Sequence, residues 1–336
     1  MILAAKDYLA KMREKIDREE LMNTLKFAVI ALVILPVLPR ESFSFANILL
    51  SLWYDDAANW TARILTMQFF NPYSLWKFVV IMAGVEFIGY ILAKVIGSKW
   101  GILISGAIGW LVSSTAVTAS MTEQSKHDTS RRDMFVTATL IANLIMFIRV
   151  ILIARLTSLG TPALFTSLVV PTGVMFLTVI AFVAYYWYRS HRENLSDPDD
   201  MGAESFSSPF RITPAIKFAG VILLVKFISA IWLAYKWELE SFGFWDIFYY
   251  ILGLISWLAD VDAITLDMSQ KAGDGSLAIA LATATIIIAM MSNNFVKATI
   301  AWRFGEKSFW NRVFLALFSS IIVGIVMVIA ISVFSA

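Results

Sequence analysis

One stretch of the sequence decides the class of this protein: MFVTATLIANLIMFIRVILIARL, at residues 134–156. A helix needs about 20 mainly apolar residues to cross the ~30 Å hydrocarbon core of a bilayer, and this run is long enough. Its strongly polar members are Asn143, Arg149 and Arg155. The stretch therefore predicts a transmembrane helix that carries at least one polar group whose transfer into lipid costs free energy.

The same kind of stretch recurs along the chain. The 336 residues are 59% hydrophobic and 15% charged, whereas soluble domains average about 45–50% apolar and about 25% charged. We therefore predict an all-α polytopic membrane protein with about nine transmembrane helices, of which 101–120 is a candidate re-entrant segment. The apolar segments are 24–39, 74–96, 101–120, 134–156, 163–187, 213–236, 244–267, 277–302 and 311–335.

Composition excludes several functions. The chain has no cysteine and two histidines, so disulfides, thiolate metal sites and imidazole catalysis are not expected. The net charge of +2 is too small to suggest a nucleic-acid partner. The sequence has neither a phosphate-binding loop nor a His-Glu-x-x-His motif. We predict no enzymatic activity, and the cofactor, if there is one, stays unknown.

Polar stretches divide the chain into five parts. We predict a cytoplasmic amphipathic helix over 1–23, a first transmembrane helix with an interfacial segment over 24–73, and a polar linker over 188–212. The remaining parts, 74–187 and 213–336, are two candidate repeats. The basic N-terminal segment favours a cytoplasmic N-terminus for a multi-pass protein whose partner is the lipid bilayer.

The two candidate repeats match at three landmarks in the same order. Residues 76–78 match 216–218, residues 109–121 match 256–268, and residues 146–150 match 294–298. The offset drifts from 140 to 148, which requires one longer loop. Repeats in transporters are parallel or inverted, and in both cases the site lies at their interface. An even number of crossings per repeat predicts parallel halves, and one non-crossing segment in each predicts inverted halves.

Two charges occupy equivalent positions in the repeats. Glu86 and Lys226 lie near the middle of their apolar segments, where a charged side chain usually pairs or faces water. We predict that they form an ion pair. The alternative is that each lies nearer a helix end and reaches the membrane surface.

A second equivalent pair is basic. Arg149 and Lys297 come late in their helices, preceded by Asn143, Asn293 and Asn294. We expect the side chains of both basic residues to reach the membrane surface. Asparagines at such positions also line aqueous paths or bond between helices, so we assign all five to intramembrane charge or gating, together with Glu86 and Lys226.

The most specific candidate site combines hydroxyls of one repeat with carboxylates of the other. Asp260 and Asp262 are two residues apart, so only an unwound segment lets both carboxylates converge. Oxygen ligands suit hard cations, and we predict a metal site at these two aspartates. The alternative is a helix end with Asp260 as N-cap and Asp262 in the first turn. The predicted ion-binding residues are Asp260, Asp262, Ser113, Ser114, Thr115 and Thr265. Asp267, Lys271 and Asp274 are predicted to lie in a solvated loop.

Four motifs together resemble an uncharacterised bacterial and archaeal membrane domain that often follows an MgtC/SapB-like domain. The resemblance covers roughly 18–330 and implies a multi-pass protein of a bacterial or archaeal cytoplasmic (inner) membrane, without an established substrate. The MgtC-like part has no counterpart in this sequence, and 41–68 is longer than the pattern implies. The motifs are residues 71–76, 109–118, 260–265 and 292–298.

These observations lead to one functional hypothesis and one rival. The hypothesis is an integral membrane transporter or channel for a small inorganic ion that binds between the repeats. The favoured ion is a cation, and divalent cations are included. The rival is a non-transporting scaffold or regulatory subunit of a larger membrane complex. A homo-oligomer or a partner membrane subunit is compatible with both.

Overall fold

The computed structural model describes residues 18–44, 68–81, 83–84, 114–158, 162–192, 212–234, 240–255 and 261–335. Within them the protein is helical except for a two-stranded antiparallel pairing of β1 (Phe43–Ser44) with β2 (Gln68–Phe70). Of the predicted site residues, Glu86, Ser113 and Asp260 lie outside the described residues. So do most of the predicted amphipathic helix 1–23, most of the candidate re-entrant segment 101–120 and most of the linker 188–212.

The helices follow one another with short connections where these are described. Helix α1 begins with Arg18–Val29 and continues through π-helical Ile30–Ile34 to Leu35–Val37. Helix α2 comprises residues 72–81 and 83–84. The others are α3 (Ser114–His127), α4 (Arg132–Thr157), α5 (Pro162–Arg192), α6 (Ile212–Ala234), α7 (Trp245–Leu254), α8 (Val261–Gly273), α9 (Ile279–Phe304) and α10 (Lys307–Ser335).

Four of these helices, α4, α5, α9 and α10, are long and apolar enough to cross a membrane. In the most apolar 18-residue stretch of α4 and of α9, 67% and 61% of the residues are buried, whereas in α5 and in α10 the share is only 28%. Helices α4 and α9 are therefore central, and α5 and α10 present apolar side chains outward, as expected for lipid contact. The protein is a multi-pass helical membrane protein. The prediction of nine spans goes beyond what the described helices establish.

Helices α4 and α9 run in opposite directions, as contacts at their ends show. Arg132, at the start of α4, donates to Glu306, just after the end of α9, at 3.0 Å. We call this the Glu306 end. Ser158, just after α4, lies against Gly273, where an added Cβ would come within 2.6 Å of the Ser158 carbonyl oxygen. Residue 273 precedes the start of α9, and we call this the Gly273 end.

The short helices α3 and α8 lie inside the bundle, and each packs against both α4 and α9. The end of α3 is at the Glu306 end, because the Glu306 N–H donates to Ser125 Oγ at 3.3 Å. The end of α8 is at the Gly273 end. With 14 and 13 residues, each extends about 20 Å, roughly half the ~39 Å of α4. The described parts of both helices, Ser114–His127 and Val261–Gly273, therefore extend outward from mid-depth in opposite directions.

The carboxylate of Glu306 fixes the turn between α9 and α10. Its Oε2 accepts from the Phe309 N–H at 2.9 Å and from Arg132 Nε at 3.0 Å. Partial burial acts to raise the pKa of Glu306, but the N–H groups of Ser308 and Phe309 and the Arg132 charge outweigh it and hold the pKa below its usual value. The start of α10 is thus capped by a group that also binds α4.

The opposite directions of α4 and α9 give a topology prediction. Cysteine placed at Ser130 and at Lys307 should be labelled from the same side of the membrane, and cysteine at Ser276 from the other side. The chain has no native cysteine, so an impermeant maleimide applied to intact cells or to inverted vesicles reads each position separately. A protein in which all nine apolar segments cross would place positions 130 and 307 on opposite sides.

Close packing of α7 on α9 gives a stability prediction. A Cβ added at Gly253 would lie 2.7 Å from the Thr285 carbonyl oxygen and 3.1 Å from Ile288. We expect Gly253→Ala to lower the free energy of unfolding by about 1–3 kcal/mol, because α7 must move away from α9. Thermal unfolding in detergent measures it. The matched control is Gly220→Ala in α6, where a Cβ meets nothing within 4 Å and stability should stay equal or rise.

Candidate functional site

The first element of the candidate site is an ion pair between α4 and α8. Arg149 donates from Nη2 to Asp262 Oδ2. The two side chains are 16% and 3% exposed, so the pair is largely removed from solvent. Arg149 lies eight residues before the end of α4, about 12 Å inside the bundle. The sequence singled out both residues but did not pair them.

Asp262 lies in the first turn of α8. A carboxylate is favourable there, because the N-terminus of a helix carries a partial positive charge. This placement agrees with the helix-end alternative for Asp262. Its charge is balanced by Arg149, and the described residues contain no group of three or more acidic or histidine side chains that could hold a metal ion. A cation site at Asp260 and Asp262 stays a prediction.

The second element is a fully buried lysine between α9 and α4. Lys297, with no exposed surface, donates from Nζ to Asn143 Oδ1 at 2.7 Å and lies 3.7 Å from Met146 Sδ. It is seven residues before the end of α9. The sequence alone favours a Lys297 that reaches the membrane surface. In the structure its side chain instead points into the bundle and bonds to the equally buried Asn143.

The predicted ligand Thr265 and the neighbouring hydroxyl of Thr118 bond within their own helices. Thr265 is buried and donates to the Val261 carbonyl at 2.8 Å, and Thr118 donates to the Ser114 carbonyl at 2.9 Å. Such bonds leave the hydroxyl oxygen able to accept or to coordinate. Ser114 and Thr115 form the half-buried first turn of α3. The structure therefore places these residues at the inner ends of the short helices.

The asparagines of α9 differ in their surroundings. Asn294 is buried and donates from Nδ2 to Ser320 Oγ of α10 at 3.4 Å. The buried Oδ1 atom of Asn293 accepts no hydrogen bond. Asn294 thus ties α9 to the outer helix α10, and it does not join Lys297 and Asn143.

A separate polar cluster joins α6 and α8 near the Gly273 end. Lys226 donates to Gln270 Oε1, and Gln270 in turn donates to Ser74 Oγ of α2 at 2.9 Å. Lys226 Nζ also lies 3.9 Å from Asp267, which pairs with Lys271 at 3.0 Å. The predicted pairing of Lys226 with Glu86 stays a prediction, since Glu86 lies outside the described part of the chain.

This cluster corrects one expectation from the sequence. Asp267 and Lys271 were predicted to lie in a solvated loop, but they belong to α8 and are 1% and 9% exposed. The apolar pattern ends near 267, yet the helix continues to Gly273, because Asp267 and Lys271 are one turn apart and neutralise each other. Asp274, the third member of the set, is exposed as predicted.

Sequence reasoning missed a charged cluster at the Glu306 end. Asp133, only 2% exposed, lies 3.0 Å from Arg189 of α5 and also pairs with Arg312 of α10. Each of these residues borders a polar connection, which is visible in the sequence. The spacing along the chain, however, does not show that three helix ends meet. The cluster fixes the ends of α4, α5 and α10 to one another.

The geometry defines a class: a multi-pass helical membrane protein with two short inner helices and buried charges between its central helices. The chain belongs to a family described as "Domain of unknown function (DUF4010)", whose model matches residues 80–305. An "Uncharacterized protein" of Aquifex aeolicus (strain VF5) is 28% identical over 221 residues, which are 66% of this chain and 90% of that protein. No solved structure matches the chain. Neither match names an MgtC/SapB-like domain, so that association stays a prediction.

The ion pair between α4 and α8 gives a prediction about stability. Arg149→Met alone leaves Asp262 buried and unpaired, and Asp262→Leu alone leaves Arg149 unpaired. Each should lower the free energy of unfolding by about 3–5 kcal/mol, whereas the double variant should recover most of the loss, since an apolar pair can replace a buried ion pair. Thermal unfolding in detergent measures all three.

The matched control is the exposed pair of Glu123 with Lys126, at 3.2 Å. Glu123→Gln should leave the thermal stability nearly unchanged, because both side chains are screened by solvent. Additive losses in the double variant would contradict a direct bond between Arg149 and Asp262.

Proposed function

We propose that this protein is a membrane transporter or channel for a small inorganic ion, and that the ion passes between α4 and α9 where α3 and α8 begin. The observation that supports the proposal is the pair of inner helical segments, described over Ser114–His127 and Val261–Gly273, which run in opposite directions from mid-depth. We infer that they belong to discontinuous helices, which form substrate and ion sites in secondary transporters.

The helix boundaries support an internal duplication. Helices α4 and α9 have 26 residues each, and their first and last residues are both separated by 147 positions. The same separation relates the starts of α3 and α8, and 145 positions separate the starts of α5 and α10. It also agrees with the offsets of 147 and 148 in the sequence comparison. We infer that α3, α4 and α5 correspond to α8, α9 and α10.

The packing supports the same correspondence. Helix α3 packs against α4 and α9, and α8 packs against α9 and α4. Helix α5 contacts α9 as α10 contacts α4, and α5 and α10 contact each other. Each contact has its counterpart, as expected around a twofold axis. Because α4 and α9 run in opposite directions, this axis lies in the membrane plane and the repeats are inverted.

The inverted arrangement also explains the distribution of basic residues. If every apolar segment crosses, the basic residues near 126–132 and near 303–312 fall on opposite sides, and no clear bias results. In the structure both groups lie at the Glu306 end, together with Arg189. Because positive residues favour the cytoplasmic side, we infer that the Glu306 end faces the cytoplasm. A location in a bacterial or archaeal inner membrane is part of the same proposal.

A scaffold or regulatory subunit remains the second candidate, and one observation favours it. The Arg149 and Asp262 charges neutralise each other, as expected in a structural core that no ion enters. The buried Lys297 favours transport over this alternative, since a charged group at that depth is retained at high cost and usually serves function.

The proposal is tested by reconstitution. The purified protein in proteoliposomes should carry an inorganic ion down an imposed gradient, and Asp262→Asn should reduce that flux by at least about tenfold, because it removes the charge that positions Arg149. Asp260→Asn belongs in the same assay. The matched control is Asp274→Asn, an exposed residue of the loop after α8, which should leave the flux unchanged.

An ion flux that is insensitive to both Asp260→Asn and Asp262→Asn would contradict an ion site at these two aspartates. The absence of flux for every inorganic cation and anion tested would favour the scaffold. In that case affinity purification from native membranes should recover a stoichiometric protein partner.

A further inference from the structure

We propose that the transported ion is a small monovalent inorganic anion and that Asn143 and Lys297 bind it. This inference rests on the proposed function, and it names the substrate class for the same site. It differs from the cation favoured by the sequence, because Asn143 Nδ2 and Lys297 Nζ, which lie between α4 and α9, are hydrogen-bond donors.

The amide of Asn143 has a defined orientation. Its Oδ1 accepts from the Lys297 ammonium at 2.7 Å, and an ammonium group can only donate. Asn143 Nδ2 therefore carries two N–H groups on the other side of the amide. The residue has no exposed surface, and Nδ2 has no hydrogen-bond partner.

A buried donor without an acceptor is unfavourable, and buried polar groups in proteins are almost always paired. An acceptor between α4 and α9 would satisfy Asn143 Nδ2 and would at the same time meet the positive charge of Lys297. A small anion has both properties. A cation would be repelled by Lys297 and would find N–H groups where it needs oxygen ligands.

Arg149 provides a second donor further along α4. Its Nη2 bonds to Asp262, but its Nε is buried and without a partner. The residue lies six positions after Asn143, about 9 Å along the helix axis. An anion bound at Asn143 and Lys297 therefore has a second station at Arg149, and transfer between weak neighbouring sites is how ions pass through selective pores.

The inner ends of α3 and α8 contribute in the same direction. The described part of each helix starts at mid-depth, at Ser114 or Val261, and a helix N-terminus at that depth carries partial positive charge. Half-helix N-termini point at anionic groups in transporters with broken helices.

The decisive variant is Asn143→Asp, which reverses the preferred sign of the ligand. The new carboxylate would pair with Lys297, so the protein should fold with unchanged or higher thermal stability. It would also repel an anion and remove the two N–H donors. We expect chloride or fluoride flux into proteoliposomes, read with ion-selective electrodes, to fall by at least about tenfold.

Two further variants isolate the lysine. Lys297→Met keeps the length of the side chain but removes its charge, and should abolish anion flux. Thr285→Val is the matched control on the same helix, since the Thr285 hydroxyl is buried and bonds only to the Leu281 carbonyl of its own helix at 2.8 Å. It should transport as the wild type does.

A binding measurement separates this inference from the proposed function. In detergent, chloride or fluoride at constant ionic strength should raise the Tm of the wild type and of Thr285→Val, but not of Lys297→Met. Wild-type flux of Mg²⁺ or Mn²⁺ without anion flux would overturn the anion assignment and leave ion transport standing. Retained anion flux in Asn143→Asp would overturn it as well. Anion-dependent stabilisation without any flux would support the site and overturn transport.

Discussion

A charged side chain inside a membrane-spanning bundle needs an opposite charge or water, and the bond between Arg149 and Asp262 meets this need between α4 and α8. The bond also decides where α8 can lie. The described part of helix α8 is polar and too short to cross a bilayer. It is therefore stable at depth only where Asp262 pairs with a base and the sides of the helix pack against the central helices. The ion pair is thus one of the contacts that fix the position of the described part of α8.

The ends of the helices are held by similar chemistry. At the Glu306 end, Asp133 binds bases from two helices, and Glu306 caps α10 while it accepts from Arg132. At the Gly273 end, close backbone contact between Gly273 and Ser158 has the same effect without charge. Lipid supplies little force that pulls apolar helices together, so polar contacts at the ends and small residues between helices set the geometry of the bundle.

The sequence predicted the membrane class and the principal helices, because a run such as 134–156 can satisfy its backbone and its apolar side chains in only one way. It also identified Arg149, Lys297, Asn143 and Asp262 as unusual, because their cost in lipid can be read without a structure. Their partners could not be predicted. Arg149 and Asp262 are 113 residues apart, and only the packing of α8 against α4 brings them together. Hydropathy failed at Asp267 and Lys271, since a polar helix buried in a protein resembles a loop in composition.

The opposite directions of α4 and α9 have a consequence for the response to membrane potential. Arg149 lies eight residues from the Gly273 end of α4, and Lys297 lies seven residues from the Glu306 end of α9. A rearrangement that displaces both bases equally toward the centre moves one positive charge along the field and the other against it. The electrical work on the two bases cancels, so the membrane potential would not favour either arrangement of the two bases.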